Sequence, residues 1–97
     1  MATYILLLRF TQKGIENIKE SPARHDASVQ TFKAMGAELK EMYLVMGQYD
    51  VVIVAEAPGD ETITKVALSI GSRGAIRTET LRAYKEDEYR KIIAALL

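Results

Sequence analysis

Two segments of this chain, Tyr4–Phe10 and Val51–Ala57, are apolar at nearly every position, and this limits the possible folds more than any other feature. Side chains alternate faces along a strand, so a sheet covered on one side only should read apolar, polar, apolar. Here Tyr4, Leu6, Leu8 and Phe10 fall on one face and Ile5 and Leu7 on the other, while Val51, Ile53 and Ala55 oppose Val52 and Val54. Both segments read as central strands that need cover on two sides. The chain has 97 residues, enough for a single domain spanning 1–97 that buries about 65% of its unfolded surface. Two helices can cover only one face. A bare second face would expose on the order of several hundred Å² of apolar surface, more than monomers usually tolerate. The expected solution is a second subunit packed sheet to sheet, so the chain's first partner is itself, as a homodimer or higher homo-oligomer.

The remaining segments place these strands in order. Two further strand-length runs span roughly Glu38–Met46 and Ile76–Tyr84. Between the first and second runs lies a helical stretch in two pieces. Thr11 can cap a short turn carrying Ile15 and Ile18, and Ser21-Pro22 then restarts the helix with Ser at the N-cap and Pro behind it. His25, Val29, Phe32 and Met35 follow at helical spacing, and Gly36 supplies a left-handed stop. Between the third and fourth runs, Asp60 can cap a helix whose Ile63, Val66, Ala67 and Ile70 form one apolar stripe, ended by Gly71. Glu86-Asp87-Glu88 starts a last helix, with Tyr89, Ile92, Ile93 and Leu96 as its stripe. The order β-α-β-β-α-β is the ferredoxin-like arrangement: an α+β fold with a four-stranded antiparallel sheet, the first and third strands central, and both helices on one face. The extra C-terminal helix could cover part of the second face.

Composition removes several functions. Thirteen basic and thirteen acidic residues give no net charge, which argues against nucleic acid as a partner. Without cysteine there are no disulfides, thiol nucleophiles or thiolate metal sites, and one histidine excludes a multi-histidine centre. No metal and no cofactor is expected. The N-terminal apolar run Tyr4–Leu8 is too short for a signal peptide or a membrane span, so the expected location is cytoplasmic and no membrane partner is expected.

The polar residues that remain suggest a site. In the turn Gly47-Gln48-Tyr49-Asp50, Gly47 can take a positive φ. Asp50 either bonds backbone amides of the turn or, with Tyr49, projects polar atoms into an apolar surface. In the fourth strand, Arg77, Glu79 and Leu81 share one face and Thr78, Thr80 and Arg82 the other. These charges either guard a sheet edge or line a pocket. Asp50 opens the third strand, which runs parallel to the fourth with the first strand between them, so its partners should be Arg77 and Glu79. His25 is either a packed helix residue or a ligand-binding group. Gly71-Ser72-Arg73-Gly74 reads as a helix stop, at the wrong end of a helix for a phosphate loop, although Arg73 could bind an anion. Met42 and Met46 are placed on one strand face as packing residues. The candidate ligand-binding set is therefore Tyr49, Asp50, Arg77, Glu79 and His25, with no catalytic residue assigned.

Gly47-Gln48-Tyr49-Asp50 resembles the Gly-x-Tyr-Asp signature of the GYD-domain family. The likeness extends to Glu56-Ala57-Pro58 with Asp60-Glu61, to Arg77-Thr78-Glu79-Thr80-Leu81-Arg82-Ala83, to Thr3-Tyr4, and to Ile18-Lys19-Glu20-Ser21-Pro22. It implies a ferredoxin-like fold of the dimeric α+β-barrel kind and carries no catalytic roles. Three functions fit this reading. The first is a ligand-binding or regulatory module with a pocket near the paired sheets. The second is a cofactor-independent enzyme, monooxygenase- or isomerase-like, using Tyr49, Asp50 and His25 on a small apolar substrate. The third is a purely structural oligomer.

Overall fold

Strand β1 (Ala2–Phe10) lies between β3 (Val51–Ala57) and β4 (Ile76–Ala83), with β2 (Glu38–Leu44) outside β3, in a computed structural model that describes residues 1–97. All neighbouring strands are antiparallel, and Leu6 faces Ile53 on one side and Thr80 on the other. Around the sheet run α1 (Gln12–Glu16), a 3-10 turn (Ile18–Glu20), α2 (Ser21–Ala34), α3 (Asp60–Gly71) and α4 (Glu86–Ala94). The architecture is the expected ferredoxin-like α+β sandwich with one additional helix.

The core occupies one face of the sheet. Tyr4, Leu6 and Leu8 of β1 and Val51, Ile53 and Ala55 of β3 are buried together with Phe32 of α2 and Ile63, Val66 and Ile70 of α3. Each large apolar side chain so buried stabilises the fold by about 1.5–3 kcal/mol. The α3 stripe is the one read from the sequence. From α2 only Phe32 is buried, because the rest of that helix's inner face carries small and polar residues such as Ala27 and Ser28.

Several local features differ from expectation. Ser21 is not an N-cap. The 3-10 turn runs straight into α2, so Glu20 and Ser21 are already in helical conformation and no side chain caps the helix, although it does begin at Ser21 with Pro22 behind it. Asp60 is not a cap either: Gly59 holds that position, and the Asp60 carboxylate accepts a 2.5 Å hydrogen bond from the Tyr4 hydroxyl. Gly71 stays within α3, and the left-handed residue is Gly74, at φ 88°. Strand β2 ends at Leu44, which leaves Met46 outside the sheet and 98% exposed while Met42 packs against the core. Gly36 and Gly47 do take positive φ, 82° and 119°.

The α1 turn explains a glycine that periodicity does not. The Thr11 hydroxyl accepts from the Gly14 amide at 3.2 Å and donates to the Gly74 carbonyl at 2.6 Å, and the Thr11 amide donates to the Ala75 carbonyl at 3.0 Å. These bonds draw α1 so tightly onto the start of β4 that a Cβ at Gly14 would sit 2.1 Å from the Ala75 carbonyl oxygen.

Helix α4 covers no part of the sheet. Its Lys85 amide donates to Glu88 at 3.0 Å, and the Lys85 ammonium lies 3.6 Å from Glu56, which pins only the helix start. Tyr89, Ile92 and Ile93 remain about half exposed. The chain measures 51 × 31 × 17 Å and exposes 6549 Å². A compact chain of 10.8 kDa would expose about 5,500 Å², so roughly 1,000 Å² of surface is in excess. No helix is long and apolar enough to cross a membrane.

Two measurements check this account. Gly14→Ala forces a methyl against a backbone carbonyl, and chemical denaturation should show a loss of about 1–3 kcal/mol. Burial, and then the Asp60 carboxylate that accepts its hydrogen bond, raise the Tyr4 hydroxyl above its ordinary pKa of 10.0. The folded chain thus holds that proton more tightly than the unfolded chain. The contribution is fully present below pH 10 and is lost as the pH climbs through the raised value. Tyr4→Phe should flatten the alkaline fall of the melting temperature while lowering stability at neutral pH.

Candidate functional site

The sheet separates two hollows, one on each face. The first lies on the open face, away from α2 and α3. The register that buries Leu6 and Leu8 sends Ile5, Leu7 and Arg9 to this side, together with Val52 and Val54 of β3 and Arg77, Glu79 and Leu81 of β4. Ile5, Leu7, Val52 and Val54 are half-buried and make an apolar centre. At one end, Leu7, Arg9, Tyr49, Arg77, Thr78 and Glu79 enclose a depression of about 360 Å³.

Gly47's positive φ and the short loop behind it bring Tyr49 back across β1. Its hydroxyl donates to both oxygens of Glu79, at 3.2 and 3.3 Å, and the Arg9 guanidinium stacks on its ring 4.8 Å from the centroid. Arg9 and Arg77 are direct cross-strand partners. Like charges placed opposite one another destabilise a sheet, and none of the chain's ion pairs involves either arginine. The depression therefore carries two guanidinium groups that form no ion pair, beside a tyrosine hydroxyl and the Glu79 carboxylate, over a floor of Leu7. Such a surface can hold an anionic or carbonyl group by charge-assisted hydrogen bonds.

Of the residues singled out in the sequence, Tyr49, Arg77 and Glu79 meet here. Asp50 does not join them. Its carboxylate accepts the Phe10 amide at 2.9 Å, and its own amide donates to the Leu8 carbonyl at 2.9 Å, so it ties β1 to the start of β3. His25 lies on the other side of the sheet. Arg9 is the residue the sequence reading passed over, although it continues the Ile5, Leu7 alternation onto the same face.

The second hollow, about 130 Å³, lies between the sheet and α2. Leu8, Phe10, Met42, Val51 and Ile76 form its floor, and Ser28 and Ala27 line it from α2. It exists because those small side chains do not reach the strands. Fully enclosed, an apolar void of that size would cost about 3 kcal/mol at 24 cal/mol per Å³. Arg24, His25 and Arg73 provide its polar border. Arg24 is engaged with the Asn17 carbonyl at 2.9 Å and with Glu20 at 3.8 Å.

Asp50→Ala should cost about 1–3 kcal/mol in denaturation, because the Phe10 amide loses its acceptor. Asp50→Asn, which keeps an oxygen there, should cost less. Asp50 would belong to the open-face site instead if the two substitutions lowered stability equally little.

Comparison with known proteins assigns the chain to a family. The GYD domain model covers residues 4–93. A Thermus thermophilus protein described as a glutamine synthetase and cystathionine beta-lyase binding protein is 33% identical over 84 residues, which are 86% of this chain and 88% of that one. A crystal structure from Thermus thermophilus superposes with a TM-score of 0.57 at 26% identity, covering 88% of this chain and 95% of that chain. The leucine response regulatory protein of Mycobacterium tuberculosis shares the fold at a TM-score of 0.66 and 12% identity, over 87% of this chain and 51% of that one. With the family model matching nearly end to end, this chain belongs to the GYD domain family.

Proposed function

We propose that this protein is a self-associating binding module of regulatory type, with a ligand pocket where the open faces of two copies meet. The observation that carries the reading is the uncovered apolar centre of the open face, Ile5, Leu7, Val52 and Val54, flanked at one end by Arg9, Arg77, Tyr49 and Glu79. A stable interface buries about 800 Å² per partner, and the half-buried Ile5, Leu7, Val52 and Val54, with the exposed Tyr89, Ile92 and Ile93 of the projecting α4, are the apolar side chains available to supply it. Pairing two open faces would also shield the arginine pair from water. An anionic ligand, or a carboxylate on the second copy, would then gain strength as its countercharge. The Thermus relative is described as binding two enzymes, which supports a binding role in preference to a chemical one.

A catalytic reading would draw on Tyr49, Asp50 and His25 acting together. The sheet divides them: Tyr49 is at the open face, Asp50 holds a strand amide, and His25 borders the helix-side hollow. Convergence of groups on one reacting atom is what general acid–base chemistry requires.

Native mass spectrometry of gently purified protein tests the proposal. The expected result is a dimer or higher oligomer, with retained small-molecule mass lost in Arg77→Gln. Leu7→Asp should give a folded monomer, because Leu7 faces outward in the isolated chain, whereas Leu8→Asp, in the core, should unfold it. A wild-type monomer at micromolar concentration overturns the reading.

A further inference from the structure

The helix-side hollow is the part of the molecule that self-association would not use. It lies within one chain, on the far face of the sheet from Tyr49 and Arg77. Its floor is entirely apolar, from Leu8, Phe10, Met42, Val51 and Ile76. Its volume, about 130 Å³, is close to that of a dry cavity of about 150 Å³ lined by Leu, Ile and Phe that is known to take up benzene. A body of six or seven heavy atoms therefore fits.

The polar border defines the rest of the ligand. Arg73 is exposed and belongs to none of the chain's ion pairs, and its guanidinium donates only to the Thr31 hydroxyl, at 2.6 Å. It can turn further donors to a carboxylate in a paired geometry. Arg24 adds positive potential, although its own bonds to Asn17 and Glu20 hold it in place. His25 stands half-buried beside it. A greasy interior with cationic groups at its border recognises one apolar end and one anionic end.

We infer that this hollow is a binding site for a compact apolar carboxylate, a small aromatic or branched-chain acid, with its hydrocarbon body over Phe10 and Met42 and its carboxylate at Arg73. Arg73 selects the charge, and the space left by Ala27 and Ser28 selects the size. The site is complete in one chain, so it stands or falls separately from the open-face proposal.

Benzoate, with benzamide as its neutral counterpart, is the probe, read by amide and methyl NMR on the full chain. In the wild type and in monomeric Leu7→Asp alike, millimolar benzoate should shift Phe10, Val51 and Ile76 and leave Ile5 and Val54 unmoved. Arg73→Gln should weaken benzoate about tenfold while leaving benzamide unchanged, since only the charge-assisted bonds are removed. Ser28→Leu should fill the hollow and abolish both. If Ser28→Leu fails to fold, the Arg73→Gln comparison still decides. The inference is overturned if benzoate leaves Phe10, Val51 and Ile76 unshifted, if the shifts fall on the open face, or if Arg73→Gln binds benzoate as tightly as the wild type.

Discussion

The central place of β1, paired along both edges and apolar on both faces, is the constraint from which the rest of the molecule follows. It is hydrogen-bonded to β3 and β4, its Tyr4, Leu6 and Leu8 are sealed by α2 and α3, and its Ile5 and Leu7 form the middle of the open face. Each further bond at its ends fixes another element. Tyr4 holds the start of α3 through Asp60, and the Phe10 amide is held by Asp50. The next residue, Thr11, turns the chain back against Gly74 and Ala75. Moving β1 by one residue would reverse its faces and undo all of these contacts together.

The strand order was legible because apolar runs and helical stripes repeat at different periods, and because each strand here is bounded by glycine, proline or a helix start. The α3 stripe and the two-faced strands were read directly. The caps were not, since Ser21 and Asp60 have side chains suited to capping but are placed by longer-range contacts. A 3-10 turn delivers Ser21 in helical conformation, and Tyr4, fifty-six residues away, takes the Asp60 carboxylate. The need for glycine at position 14 was invisible for the same reason, because the carbonyl that crowds it belongs to Ala75.

The candidate site was half legible. Alternation along β4 and the tyrosine of the turn pointed to Tyr49, Arg77 and Glu79, which line one depression. Asp50 could be assigned either to the turn or to the pocket, and the choice depended on one backbone amide that the sequence does not point to, that of Phe10. Arg9 was passed over because it sits in a run otherwise read as hydrophobic. Yet it lies against Tyr49 and directly opposite Arg77, so it has as much claim on the site as any residue there. The two hollows arise from opposite causes. On the open face, polar side chains stand up around a gap. Under α2, small side chains fail to fill one.

Helix α4 has a further consequence. A nine-residue helix is too short to persist alone in water, and here it is tethered at its first turn while Tyr89, Ile92 and Ile93 touch little of their own chain. Its order is therefore borrowed from whatever those three side chains rest against. Should copies pair as proposed and rest against these side chains, amide exchange along this segment would slow as the protein's concentration rises while the sheet's exchange stays constant, which would make the C-terminal helix an internal gauge of how crowded each copy's surroundings are.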